Sequence, residues 1–300
     1  MNLANIFRAW RVARFNADGW QQVAMSVVFM SAASAVCAQN KSPTLEKMKS
    51  DGVINIGVRH SAAPFSYFDA NNQPQGFTCE ICKEIVKGLE AELGRALSTK
   101  VVSVDLAQSF DKLADNSIDL QCGSTTHTAE REKRVQFSKT FFVAGIKVAY
   151  RKADADFASP LKHGKVIALQ NSTASTVVKK IFAGVSDKAL FGGAADVKSY
   201  DEGIAQLKNK DADTFFADIV LLPLDDAITF RDKPLTVEPY ALMMRKGDAV
   251  FSGTIDRLLT KVLKTQAETI ADKTGLKGKI SPLTREVWKR PSSDTALSLY

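Results

Sequence analysis

Residues 53–58 (VINIGV) form a short β-branched run that ends at a polar loop, and over residues 78–97 Ile81, Ile85, Leu89 and Leu93 recur at four-residue spacing. The first pattern predicts a strand and the second an amphipathic helix. A strand over residues 101–104, a helix from about Gln108 to Ala114 and a strand over residues 118–121 continue the alternation. Such an order calls for a sheet with helices on its faces. After a further extended apolar run over residues 142–150 the pattern restarts, with a strand over 166–169, a helix from Ala174, a helix around residues 203–207 and a strand over 214–216. The restart marks a second α/β lobe.

Residues 239–243 (PYALM) are extended again and lead into two helical stretches, the first given an apolar face by Leu258, Leu259, Val262 and Leu263. The last eighteen residues, with several serines, read as a surface tail. No solenoid repeat or low-complexity segment interrupts the chain.

The first forty residues read as an address. Arg8, Arg11 and Arg14 precede an uncharged stretch of 16 residues, 23–38, that closes on Val36-Cys37-Ala38. That length falls short of the roughly 20 residues of a spanning helix, and its end carries the small side chains a signal peptidase reads. Residues 1–38 are therefore expected to be a cleaved signal peptide, with the mature chain starting at Gln39 and exported from the cytoplasm. An uncleaved N-terminal anchor is the competing reading. No other segment is apolar enough to span a membrane.

Composition narrows the classes further. With 300 residues, 45% hydrophobic and 24% charged, disordered and collagen-like chains are excluded and two lobes are natural. The net charge of +7 comes from basic residues scattered among acids, without the Lys/Arg clusters and interleaved aromatics of a nucleic-acid surface. Beyond the leader three cysteines remain, Cys79, Cys82 and Cys122, so one pair can bridge and one thiol is left over. Cys79 and Cys82 form a single C-x-x-C, and His60, His127 and His163 are far apart in sequence. No metal site is expected from that spacing.

Two clusters place hydrogen-bonding groups near strand ends. Cys122-Gly123-Ser124-Thr125-Thr126 is followed five residues on by Arg131, a set of hydroxyls, backbone N–H groups and a guanidinium that suits a carboxylate. Pro64-Phe65-Ser66-Tyr67-Phe68-Asp69 follows the first strand and Arg59, and its rings suit the wall of a small-molecule pocket. Helix capping is the plain alternative for the first cluster, and core plugs with a turn for the second.

Taken in order, the segments GVRHSAAPFSYFD, GFTCEICKEI, DLQCGSTT, EREKRVQFS and PYALMMRKGD resemble the extracytoplasmic solute-binding proteins of family 3. Within them the chain looks most like the glutamate/aspartate-binding branch of amino-acid ABC transporters. The resemblance runs from about Leu45 to the C-terminal tail.

It implies a periplasmic-binding-protein (Venus-flytrap) fold: two α/β lobes joined by two hinge strands, closing on a ligand in the cleft. Lobe 1 would comprise residues 39–145 and 241–300 and lobe 2 residues 146–240, with crossings near Gly145 and Tyr240. By the same resemblance Arg131 binds the ligand α-carboxylate, helped by Ser124, Thr125 and Thr126. Thr173, in a Ser172-Thr173 pair where relatives have Gly-Thr, donates its backbone N–H and hydroxyl to that group. Asp218 pairs with the ammonium, and Phe65, Ser66 and Tyr67 belong to the wall. Arg59 matches an arginine beside the side-chain carboxylate and favours an acidic ligand. Ser109 and Tyr200 replace a second arginine and a histidine of that branch, and His127 stands where asparagine is frequent, which keeps a neutral polar ligand such as glutamine in play.

The resemblance also implies a Cys82–Cys122 disulfide, leaving Cys79 unpaired; a bridge within the helical C-x-x-C would strain disulfide geometry. The implied function is a monomeric periplasmic receptor without catalysis, cofactor or metal, whose partners are a free amino acid and an inner-membrane permease of an ABC transporter, not nucleic acid. Two other readings compete: a periplasmic dehydratase of cyclohexadienyl acids on the same fold, for which only His127 offers a general acid, and an accessory or sensor module.

Overall fold

A computed structural model of the chain describes residues 41–154, 164–183, 192–222 and 225–293. The expected signal peptide and His163 lie outside the described residues. Helix α1 (Pro43–Asp51) and strand β1 (Val53–Arg59) lead through three short strands, β2 (Ser61–Ala62), β3 (Ser66–Phe68) and β4 (Pro74–Gln75), into helix α2 (Phe77–Leu93). Then come β5 (Ser98–Val104), α3 (Leu106–Ala114), β6 (Leu120–Thr126), the short α4 (Ala129–Glu132) and β7 (Gln136–Ala144). A second series follows: β8 (Ile146–Arg151), β9 (Val166–Leu169), α5 (Thr173–Phe182), β10 (Ala194–Val197), α6 (Tyr200–Lys208), β11 (Thr214–Asp218) and β12 (Ile228–Phe230). The chain closes with β13 (Glu238–Met244), the long α7 (Ala249–Lys273) and α8 (Pro282–Lys289).

Two five-stranded sheets organise these elements among the described residues, in the orders β5-β1-β6-β13-β7 and β10-β9-β11-β8-β12. Parallel pairing of β1 with β5 and β6, and of β9 with β10 and β11, follows from the helical crossovers. The fold is thus a two-lobed α/β architecture. The chain passes between the sheets at Gly145, where the extended run of residues 142–150 divides into β7 of one sheet and β8 of the other. Glycine is required there, since a Cβ at 145 would lie 2.8 Å from the Pro234 side chain and 2.9 Å from the Thr236 carbonyl.

Helix α2 buries Ile81, Ile85 and Leu89 as the four-residue spacing predicts. It stops sooner than residue 97 because Gly94 turns left-handed at φ 67° and donates its N–H to the Glu90 carbonyl. The first lobe's centre is aromatic: Phe65 packs edge-on against Phe142 at 4.8 Å and Tyr240 at 5.3 Å between ring centroids. Burying each such side chain stabilises by about 1.5–3 kcal/mol.

The expected C-terminal tail is corrected as far as Lys289, because Ser281 caps α8 through the Thr284 N–H and Pro282 sits in its first turn, while residues 294–300 lie outside the described residues. Val287 and Trp288 are buried, and Trp288 Nε1 donates to the Phe141 carbonyl at 2.7 Å. No helix among the described residues is long and apolar enough to cross a membrane.

Candidate functional site

Strand β6 carries the Ser/Thr cluster within itself, not after its end. Its backbone between Gln121 and Thr125 bulges, since those two residues pair with Met243 and Ala241, which are only two apart on β13. A bulge re-aims side chains beside it, and here it holds Ser124 and Thr125. Both are buried, and neither hydroxyl has a hydrogen-bond partner among the described residues.

Past Thr126 the chain turns into α4, capped by the Thr128 hydroxyl, which accepts the Arg131 N–H at 3.2 Å. The Arg131 side chain folds back, and its Nη1 donates to the Thr126 carbonyl at 2.8 Å. Nη2 donates to the carbonyl of Asn171, in the loop before α5, at 3.2 Å. Arg131 therefore reaches both lobes. Burial holds its guanidinium below the usual arginine range, opposed by the negative charges of Glu238 and Asp218.

In the facing lobe, β11 ends at Asp218, which is buried. Tyr240 donates its hydroxyl to Asp218 Oδ2 at 2.7 Å, and Oδ1 has no partner among the described residues. Burial pushes the Asp218 carboxyl up to about 8, with Glu238 adding to the rise and Tyr240 and Arg131 opposing it. Ser172 stands in ordinary extended backbone at φ −84° and caps α5, so the missing glycine costs no strain; the left-handed residue is Asn171, at φ 60°. Thr173 opens α5, whose first-turn N–H groups lack intrahelical partners, and its hydroxyl donates to Glu238 Oε2 at 2.7 Å.

Arg59 ends β1 next to Gly123, where a Cβ would lie 3.0 Å from the arginine Cγ. Its guanidinium is buried and depressed by desolvation, while Tyr200, Asp105 and Tyr240 favour its charge. Burial likewise raises the Tyr200 and Tyr240 hydroxyls. Arg59, His60, Asp105, Gln170, Asn171 and Lys198 are among the residues lining a narrow pocket of about 20 Å³ between the lobes. A wider cleft of about 440 Å³ lies beside Tyr67, Tyr200 and Leu221. Neither is lined by Arg131, which is half-buried, or by Asp218, which the lobes cover.

The structure thus brings Arg59, Ser124, Thr125, Thr126, Arg131, Thr173 and Asp218 to facing strand and helix ends of the two lobes. Phe65 is placed elsewhere, in the aromatic core. The Ser66 hydroxyl ties the lobe together, accepting the Arg59 N–H at 2.9 Å and donating to the Cys122 carbonyl at 2.6 Å. Ser109 is buried with its hydroxyl on the Asp105 carbonyl. His127 lies 2.6 Å from Glu132 through Nε2 and stacks on Phe137. Cys82 and Cys122 form a disulfide from α2 to β6, and burial pushes the free Cys79 thiol up to about 11. Glu238, Tyr240 and Asn171 are additional members that sequence reasoning did not place in the site. The one available signal was a carboxylate, Glu238, opening an otherwise apolar strand.

Residues 54–277 match the family described as bacterial extracellular solute-binding proteins, family 3. The chain belongs to this family. Among its relatives, the glutamate/aspartate import solute-binding protein of Escherichia coli (strain K12) is 28% identical over 241 residues, covering 77% of this chain and 78% of the relative. The glutamine-binding protein of an ABC transporter in Bacillus subtilis (strain 168) is 26% identical over 231 residues, covering 75% and 81%. The crystal structure of the cysteine-binding protein from Campylobacter jejuni superposes with a TM-score of 0.66 at 25% identity, covering 80% of this chain and 95% of that one. Arg131 and Asp218 bring a guanidinium and a carboxyl from opposite lobes toward the cleft between them.

Proposed function

We propose that this family 3 protein is the periplasmic receptor of an amino-acid importer, exported by the signal peptide of residues 1–38. The observation that carries this reading is the placement of half-buried Arg131 and buried Asp218 in facing lobes, each with groups beside it suited to one end of a zwitterion. Arg131, Ser124, Thr126 and the N-terminus of α5 at Thr173 hold the α-carboxylate, while the open oxygen of Asp218 takes the ammonium. Thr125 is buried behind these groups, and Tyr67 lines the wider cleft. A ligand touching both lobes stabilises the closed state by its differential affinity for it, and closure is what an inner-membrane ABC permease reads.

Arg59 supplies a further cation, a buried one, beyond the arginine that holds the α-carboxylate, and this favours glutamate or aspartate. Ser109 and Tyr200 bring no further positive charge. The protein works as a receptor and not as an enzyme: His127 is engaged with Glu132 and Phe137, away from the role of a general acid.

Calorimetric titration of protein unfolded and refolded to strip carried-over ligand, against the twenty amino acids and prephenate, tests this. Micromolar affinity for glutamate or aspartate, about −8 kcal/mol, is expected. A glutamine optimum keeps the receptor and overturns the acidic ligand. Absence of binding to every amino acid overturns the receptor.

A further inference from the structure

Thr236, Glu238 and Tyr240 alternate along the second crossing between the sheets. Glu238 is buried and both its oxygens are engaged: Thr236 Oγ1 donates to Oε1 at 2.6 Å and Thr173 Oγ1 donates to Oε2 at 2.7 Å. The Thr236 hydroxyl also accepts the backbone N–H of Ile146, the first residue of β8 beyond the other crossing, at 3.3 Å. Three hydrogen bonds in series therefore join both crossings to the first residue of α5. A carboxylate is suited to the centre of this chain because it accepts on two oxygens at once, and bonds to an ionised acceptor are the stronger kind.

Two residues on, Tyr240 donates to Asp218, so the same strand face carries one acid and grips another. The groups that act on Asp218 are Glu238, Tyr240 and Arg131, with Tyr200 buried nearby and Arg59 beside Arg131. Two carboxylates brought together out of water disfavour their joint ionisation unless a cation joins them.

We propose that Glu238 is a positioning residue of the ligand site, fixing the Thr173 hydroxyl to the crossing strands and placing a second negative charge beside Asp218. A cationic group such as an ammonium entering the cleft then favours ionisation of Asp218. This rests on the amino-acid-receptor reading and assigns that site a residue that need not touch the ligand. The raised Asp218 carboxyl accords with it: binding an ammonium near neutral pH expels a proton.

The test is calorimetric titration of L-glutamate, L-aspartate and L-glutamine into the full chain, E238Q, E238A and T173V, from pH 6 to 9, in buffers of different ionisation enthalpy. E238Q keeps the size and an acceptor but removes the charge; it is expected to bind with less proton release and with the rise of affinity displaced to lower pH. E238A also loses the tether and is expected to bind at least tenfold more weakly, with T173V adding nothing further in that background. E238Q with the parent's proton release and pH profile, or E238A with the parent's affinity, overturns the proposal. Should E238A not fold, E238Q and T173V decide it. Binding of none of the three ligands by the parent protein overturns the receptor reading instead. The tether is then judged by amide hydrogen exchange over residues 173–176 without ligand: faster exchange in E238Q or E238A supports it, and equal exchange overturns it.

Discussion

Arg131 donates to the Asn171 carbonyl at 3.2 Å, so the guanidinium on the turn after β6 touches the loop that opens α5 in the other lobe. A side chain held by backbone carbonyls on both sides has its fork fixed before a ligand arrives. Arg131→Ala is expected to lower amino-acid affinity by about 2–5 kcal/mol, the range for truncating one member of a buried charge pair. Calorimetry reads the loss. Circular dichroism melting should show the fold intact, because the arginine is anchored to carbonyls at the lobe margins and lies outside both lobe cores.

Asp218 makes ligand-free stability fall with rising pH. A carboxyl raised in the fold from 3.8 to about 8 favours folding below its unfolded value and loses that advantage as pH climbs through 8. Asp218→Asn should flatten this slope and raise the ligand-free melting temperature at pH 8, by about 2–4 °C for each kcal/mol recovered in a chain of this size. Thermal scans of both proteins at pH 5, 7 and 9 check it. A parent whose stability rises from pH 5 to 9 by the same amount as the variant's removes Asp218 from the account.

The Cys82–Cys122 bridge closes a loop with a sequence separation of 40. Loop-closure entropy assigns such a bridge about 4 kcal/mol. Cys82→Ser should lower the melting temperature by about 10 °C under oxidising conditions and by nothing in excess reductant, where the parent loses the same stability. Cys79 cannot substitute, since its buried thiol resists ionisation and the thiolate is the reactive form. Equal melting of the parent with and without reductant would falsify this account.

Trp288 stacks on Phe77 at 5.9 Å between centroids and donates to the Phe141 carbonyl. Trp288→Ala should cost about 3–5 kcal/mol, and truncation before Ser281 at least as much. Urea denaturation measures it; a variant as stable as the parent would return this segment to the status of a tail.

Much of this architecture was legible in the chain, for reasons particular elements make plain. β1 and α2 announced themselves because one sheet face and one helix face repeat over several residues. Order and spacing of the segments around Arg59, Arg131 and β13 pointed to the family, which no single cluster could do. The C-terminal helix was misread because its apolar face rests on only Val287 and Trp288, while the serines on either side suggested solvent. Residues 118–121 announced a strand too short by several positions, since Cys122–Thr126 are polar and yet buried between β1 and β13. Glu238 stayed hidden for a different reason: its partners, Thr173 and Thr236, meet it only after the two sheets are built.

Gly145 sets how the two crossings meet. Pro234 and the Thr236 carbonyl take the place of its missing side chain, and the Leu235 N–H donates to the Ile146 carbonyl at 2.7 Å, so the two crossing segments lie side by side over several residues. A side chain at 145 would force these two connections apart and break the bonds between them. The glycine thus keeps both connections between the lobes in one place, at one edge of the cleft.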